Sequence, residues 1–299
     1  MTRGMNEMTR VAFVGLGAMG LPMASNLLRK GYMVTGFDLN ASALDTLEGA
    51  GGKRAASASE AATEADTLIL MVVNAAQAEA VLFEGGTLER LREGGVVVLM
   101  ATCPPAAVEA IEERVRQAGR RLIDAPVSGG VAGAKAATLT IMAAGPRDMF
   151  ETVKPLFDAM GDKVFHVGDR PGQGAMVKTV NQLLCGVHIA VVAEAFALAS
   201  KVGVDLNILL QIMSGSAASS WMLKDRGPRM LQSHPEVTSA VDIFVKDLGI
   251  VLDAGRHTKA ALPLAAAAHQ MFLAASGRGD GKEDDSQVIR SYYALNGIR

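Results

Sequence analysis

The chain has 299 residues, 49% hydrophobic and 20% charged, with a formal net charge of −2. At about 100–200 residues per domain this length gives two domains, and the composition supports sizeable apolar cores rather than disorder. A near-neutral charge with one Trp and three Tyr excludes the clustered basic surface and stacking platform of a nucleic-acid binder, and the basic face of an anionic-membrane partner.

The first ten residues are polar, lack an apolar signal core and read as a loose extension, with Met8 as an alternative start. Val11 to Val14 is a short apolar run ending in glycines, the signature of a buried parallel strand. Leu21 to Arg29 has helical spacing, with Gly31 as a stop. Met33 to Phe37 forms the next strand and ends at Asp38. A helix (Ala41 to Gly49), a strand (Thr67 to Val73), a helix (Ala75 to Leu82) and a strand (Val96 to Met100) follow. The alternation runs on through Leu122 to Asp124, Leu139 to Ala143, Phe150 to Met160 and Lys163 to Val167. Strands separated by helices imply an α/β fold, a doubly wound parallel sheet with helices on both faces.

The pattern changes at Gly172. Lys178 to Val202 carries no proline and reads as one long helix, about 38 Å at 1.5 Å per residue. The remainder is helical in pattern: Asp205 to Met213, Ser239 to Gly255, Pro263 to Ala275 and Asp285 to Tyr293. The expected organisation is therefore a Rossmann-type dinucleotide domain over 9–172 and an all-α domain over 173–299. Gly277 to Asp285 reads as the clearest exposed polar loop. No run of about 20 uninterrupted apolar residues marks a membrane span. Cys103 and Cys185 make neither a disulfide framework nor a zinc site, so reduced thiols, a cytoplasmic setting and no metal are expected.

Gly15-Leu16-Gly17-Ala18-Met19-Gly20 is a G-x-G-x-x-G between a strand and a helix, with an acidic residue, Asp38, at the end of the following strand. That context is what a dinucleotide fingerprint requires. Gly15 permits the tight turn, Gly17 lets backbone approach a pyrophosphate, and Gly20 permits close helix–strand packing. The helix N-terminus offers N–H groups and a positive dipole end to phosphate. Asp38 can accept hydrogen bonds from ribose hydroxyls, and its charge repels a 2′-phosphate, which favours NAD over NADP. A second glycine segment, Asp124-Ala125-Pro126-Val127-Ser128-Gly129-Gly130, brings a hydroxyl and two unencumbered N–H groups to the sheet's C-terminal edge, where they can cradle a carboxylate or form an ordinary turn.

Four stretches in order, VAFVGLGAMGLPMASNLL, DAPVSGG, GQGAMVKTVNQ and VKDLGIVLD, resemble the β-hydroxyacid dehydrogenase family, which includes 3-hydroxyisobutyrate dehydrogenase. The resemblance covers nearly the whole chain after Thr9. One departure is Ala137, where the family often has glycine. The resemblance implies that Ser128, Gly129 and Gly130 hold a substrate carboxylate, that Lys178 is the catalytic residue and that Asn181 hydrogen-bonds the substrate. It implies cofactor contacts for Thr102 and Lys246, and a place beside the nicotinamide ribose for Val73 and Asn74. Gln182 stands where many members have a second Asn; it keeps the amide and reaches about one methylene further, so it joins the expected substrate site.

Alcohol oxidation requires that the protein manage the hydroxyl proton while the cofactor takes the hydride. A lysine is a poor base at neutral pH unless desolvation or nearby positive charge lowers its pKa; Lys246 and the nicotinamide are the candidate sources of that charge. Lys178, Asn181 and Gln182 at i, i+3 and i+4 share one helix face, expected to face a cleft between the domains. Lys246 itself sits in an apolar run and reads either as functional or as a snorkelling side chain. Trp221 reads either as cleft lining or as core.

Val73-Asn74-Ala75-Ala76-Gln77, the run from His188 to Ala195, Ser239 to Gly249, and Gly281 to Ser286 resemble a bacterial branch of the family that oxidises L-threonate, a four-carbon sugar acid, at C2 with NAD. The alternatives are tartronate semialdehyde reduction, 3-hydroxyisobutyrate oxidation, or a non-catalytic nucleotide-binding interaction protein. A small hydroxy acid is the expected partner, and the Ala-rich helical domain is expected to form a homodimer or homotetramer.

Overall fold

The computed structural model describes residues Thr9–Ile298. The expected N-terminal extension, including Met8, lies outside them except for its last two residues. The chain divides into two compact units, one ending at Lys178 and the other beginning at Thr179.

The first unit runs β1 (Arg10–Val14), α1 (Gly20–Arg29), β2 (Met33–Phe37), α2 (Ala41–Gly49), β3 (Lys53–Arg54), α3 (Ala58–Ala61), β4 (Thr67–Leu70), α4 (Ala75–Phe83), α5 (Thr87–Arg90), β5 (Val96–Leu99) and α6 (Pro105–Gln117). It continues with β6 (Arg121–Asp124), β7 (Val127–Ser128), α7 (Gly130–Ala136), β8 (Leu139–Ala144), α8 (Arg147–Met160), β9 (Gly161–Gly168) and the first turns of α9 (Gln173–Lys201). The sheet order is β3-β2-β1-β4-β5-β6-β8-β7, with β9 paired to β8. Strands β1 to β6 are parallel. Alternate residues of β1 feed separate cores: Val11 and Phe13 pack on one face, Ala12 and Val14 on the other. The order reverses between β1 and β4, and ligands of such sheets bind outside the strand C-termini at that switch point.

The sheet is not parallel throughout. β8 pairs antiparallel with both β6 and β7. Between β6 and β8 the chain forms β7 and a double-glycine turn, which leaves only the seven residues of α7. At 1.5 Å per residue that is about 10 Å of helix, too short to carry the chain back along the sheet for a parallel re-entry.

The second unit is helical. After the rest of α9 come α10 (Leu206–Gly215), α11 (Trp221–Met230), α12 (Val241–Thr258), α13 (Pro263–Ala275) and α14 (Ile289–Leu295), with turns at Ser276–Asp280 and Asp285–Val288. Ile189, Ala193 and Phe196 of α9 pack with Phe244, Leu248 and Val251 of α12 and Phe272 of α13. The rings of Phe244 and Phe272 stack with centroids 5.2 Å apart. By length and composition α9 could cross a membrane; the core contacts bury one side of it, while Val180, Leu184, Val191 and Leu198 are exposed.

Two further features depart from the sequence reading. Helix α11 has no counterpart there, because Gly227 and Pro228 interrupt its pattern. Ser220 caps it by accepting from Leu223 N, and Trp221, half-exposed, is not core. Gly227 lets α11 close on α10, since a Cβ there would lie 2.7 Å from Leu210 Cδ1. The segment 277–285, expected as an exposed loop, ends in two fully buried acids, Asp284 and Asp285. Arg226 donates to both Asp285 oxygens, Nε at 2.7 Å and Nη2 at 2.8 Å, and Arg229 Nη1 reaches Asp284 Oδ2 at 2.7 Å. Burial raises the Asp285 pKa, and the Arg226 charge opposes that rise.

Candidate active site

The glycine turn follows β1 directly. Gly15 adopts φ +94°, and its N–H donates to Phe37 O at 3.0 Å, which ties the turn to the end of β2. A Cβ at Gly15 would lie 2.5 Å from Met71 O, and one at Gly20 would overlap Gly15 O at 1.8 Å. At Gly17, in contrast, a Cβ would meet nothing within 4 Å. Gly15 and Gly20 are thus dictated by packing, whereas Gly17 borders open space. Helix α1 begins without a side-chain cap and with no acid in its first turn, so its first N–H groups suit an anion. These residues fit the pyrophosphate of a dinucleotide.

Asp38 stands just past β2. Its Oδ2 accepts from Leu16 N at 2.6 Å and its Oδ1 from Asn40 N at 2.8 Å. A carboxylate has about four acceptor sites, so two remain for ribose hydroxyls. Beyond β4, Asn74 accepts from Gln77 N at 2.9 Å while Gln77 Oε1 accepts from Val73 N at 2.9 Å. This reciprocal cap starts α4 and leaves Val73 half-exposed. Strand β4 stops at Leu70, three residues short of the expected Val73. Thr102 follows β5, part-buried. The turn, Asp38, Val73, Asn74 and Thr102 all follow the C-terminal ends of parallel strands.

Ser128 ends β7, and Gly129 and Gly130 follow with φ +130° and +61°. A Cβ at Gly130 would meet nothing within 4 Å, and α7 starts there without a side-chain cap. Two consecutive positive φ values need glycine, and successive backbone N–H groups in such a turn can cradle an anion.

Asp124 ends β6 and is fully buried. Its Oδ2 accepts from Gly172 N at 3.0 Å and Ala175 N at 2.7 Å, at the start of α9. Lys178, buried at 7% exposure, lies one turn further along that helix.

In the second unit, Asn181 Nδ2 donates to Gln182 Oε1 at 2.9 Å and to Cys185 Sγ at 3.4 Å. Gln182 Nε2 donates to Asp247 Oδ2 at 2.5 Å, and Lys246 Nζ reaches Asp247 Oδ1 at 2.6 Å. Asp247, buried at 2% exposure, therefore holds Gln182 and Lys246 directly, reaches Asn181 only through Gln182, and fixes which end of the Gln182 amide donates. Lys246 is consequently no bare cation; Asp247 balances the charge that was expected to act on Lys178. Asp247 and Asp124 are the residues that sequence reasoning missed. The signal for Asp247 was an acid inside an apolar helical run, and that for Asp124 an acid closing a buried strand. Cys103 and Cys185 are not joined in a disulfide.

Residues 10–168 match the model described as the NAD binding domain of 6-phosphogluconate dehydrogenase. Residues 172–292 match the one described as NAD-binding of NADP-dependent 3-hydroxyisobutyrate dehydrogenase. L-threonate dehydrogenase of Cupriavidus necator is 45% identical over 95% of this chain and 96% of its own length. The enzyme of the same name from Haemophilus influenzae is 43% identical over 97% of each. The crystal structure of 3-hydroxyisobutyrate dehydrogenase from Salmonella typhimurium aligns with a TM-score of 0.90 at 41% identity, covering 94% of this chain and 99% of that one. With a glycine turn shaped for a dinucleotide, relatives matched along nearly their whole length and a Rossmann-type unit followed by a helical one, this chain belongs to the NAD-dependent hydroxyacid dehydrogenases related to 3-hydroxyisobutyrate dehydrogenase.

Proposed function

We propose that the chain oxidises L-threonate at C2 to the 2-keto acid with NAD, and that Lys178 takes the hydroxyl proton. The observation that carries this reading is a buried lysine on α9, one turn past the amides held by Asp124, in a chain 45% identical to an L-threonate dehydrogenase. Bound NAD supplies the hydride acceptor. The glycine turn and the α1 N-terminus hold the pyrophosphate, with Asp38 on the adenosine ribose, Val73 and Asn74 beside the nicotinamide ribose, and Thr102 and Lys246 as further cofactor contacts. Ser128, Gly129 and Gly130 receive the substrate carboxylate. Asn181 and Gln182, oriented through Asp247, address its hydroxyl groups; a polyhydroxylated acid suits such a set of amides. The Lys178 amine, once neutral, accepts the proton from the C2 hydroxyl and returns it in the reverse direction.

The test is a panel of L-threonate, 3-hydroxyisobutyrate and tartronate semialdehyde with each nicotinamide cofactor. L-threonate with NAD is expected to give the highest kcat/KM; turnover of 3-hydroxyisobutyrate but not L-threonate would overturn the substrate. Lys178→Ala is expected to lower kcat by about 10²–10⁴, while NAD binding, followed by fluorescence or calorimetry, persists. Full turnover by that variant would remove Lys178 from the mechanism.

The same reading includes a homodimer or homotetramer in the cytoplasm. Val180, Leu184, Val191 and Leu198 are exposed along α9. At about 100° per residue they form one stripe, roughly 130° around the helix from Lys178, Asn181 and Gln182. Ile208 and Ile212 on α10 are also more than half exposed. An apolar stripe of this length suits a second copy of the chain.

A further inference from the structure

Asp124 has no part in the reaction as described, although it is the most enclosed acid of the first unit. Strands β5 and β8 pair on either side of it, at Leu99 and Ala144, and neither carries a titratable residue. One carboxylate oxygen, Oδ2, accepts from Gly172 N and Ala175 N. The other, Oδ1, is buried with no hydrogen-bond partner. The joint with α9 is tight: a Cβ on Gly174 would stand 2.5 Å from Met142 O and 3.0 Å from Asp124 O and Oδ2. Titratable side chains of neighbouring elements also flank the joint. Glu109 of α6 lies against Gly172, and His166 of β9 bonds Gly145 O at 2.7 Å. Lys178 sits a turn along α9. None of them hydrogen-bonds the Asp124 carboxyl, which accepts from backbone only.

We propose that Asp124 is a positioning residue for the reaction: its ionised carboxylate clamps the first turn of α9 and so sets the height and rotation at which Lys178 is presented, and protonation at the orphaned oxygen loosens the clamp. An anion at a helix N-terminus is favoured by the helix dipole, and N–H bonds to a charged acceptor are about twice as strong as those to a neutral one. A helix displaced along its axis by one residue would move Lys178 by about 1.5 Å and turn it by about 100°. Burial pushes the Asp124 pKa from 3.8 up to about 7, and the N–H groups of Ala175, Gly172 and Gly174 oppose that rise. The clamp therefore titrates near neutrality. The sign follows: the raised pKa means that the folded state binds this proton more tightly than the unfolded chain, so the residue's contribution to stability is greatest at acid pH and is lost as pH rises through about 7. Activity goes the other way, because the charged form is the one that holds the helix.

The inference rests on Lys178 as the base, so its test reads both the rate and the clamp itself. Asp124→Asn keeps an acceptor for the two amides but removes the charge and the titration. Its kcat is expected to fall about five- to twentyfold with KM for NAD changed less than twofold. The acid limb of log kcat against pH is expected to lose one ionisation relative to the wild type. In wild-type chain labelled with ¹⁵N-alanine, the Ala175 amide is expected to follow an ionisation near neutrality. A variant with wild-type kcat and an unchanged acid limb would overturn the inference, as would an Ala175 amide flat between about pH 5 and 9. Should the variant fail to fold, the wild-type amide decides alone. Turnover that survives Lys178→Ala would remove the base while leaving the Ala175 titration in place, so the two failures are distinguishable.

Discussion

Asp38 shows how one side chain serves both the fold and the ligand. It ties Leu16 N within the glycine turn at 2.6 Å, and that turn is where the dinucleotide fits. Replacing a charged acceptor of a backbone N–H costs about 1.5–3 kcal/mol, and about 1.4 kcal/mol is tenfold in affinity. Asp38→Asn is therefore expected to raise KM for NAD about tenfold and to increase the ratio of NADP-linked to NAD-linked kcat/KM, since the repulsion of a 2′-phosphate is gone. Initial rates with the two cofactors measure it; an unchanged ratio would remove Asp38 from the ribose. At this scale the sequence disclosed most where a residue type has few uses. The spacing of Gly15, Gly17 and Gly20 announced a tight strand–helix turn, and the structure assigns each a distinct constraint. The partners of Asp124 and Asp247 were illegible, because nothing in a linear pattern tells which backbone amides or which distant side chain a buried acid will meet.

Single elements were legible according to how cleanly their patterns were punctuated. Strands β1 and β2 and helix α13 fall where the sequence placed them. Helix α11 was hidden by a glycine and a proline that tertiary contact tolerates. The turn after α7 is a further case: Ala137 adopts φ +58°, a conformation that disfavours any side chain. Ala137→Gly is expected to stabilise the fold by up to about 1 kcal/mol, the relief of left-handed strain less the extra freedom of the unfolded glycine, as read by urea denaturation. Asp285 carries the opposite expectation. It meets Arg226 through two hydrogen bonds with both groups out of water, and removing one partner of such a pair costs about 3–5 kcal/mol. Asp285→Asn should lower the unfolding free energy by that amount, as read by urea denaturation. A loss below about 1 kcal/mol would mean that water reaches Arg226.

For the whole molecule, the α/β-then-α architecture was readable because hydrophobic periodicity changes once along the chain. The reversal of β8 was not, since it depends on how much chain a double-glycine turn consumes. The exposed apolar stripe on α9 yields the prediction at this scale. Leu184→Glu with Leu198→Glu is expected to convert the proposed homodimer or homotetramer to monomers in analytical ultracentrifugation while far-ultraviolet circular dichroism is retained; a sedimentation coefficient unchanged from wild type would remove the stripe from the proposal. Helix α9 carries a further consequence. It bears Lys178, Asn181, Gln182 and that stripe on one uninterrupted rod of 29 residues. A rod transmits any change of length as rotation, so one residue inserted between Lys178 and Asn181 would turn everything downstream by about 100°. The middle of α9 should therefore be closed to insertion and deletion, a fixed ruler in the lineage.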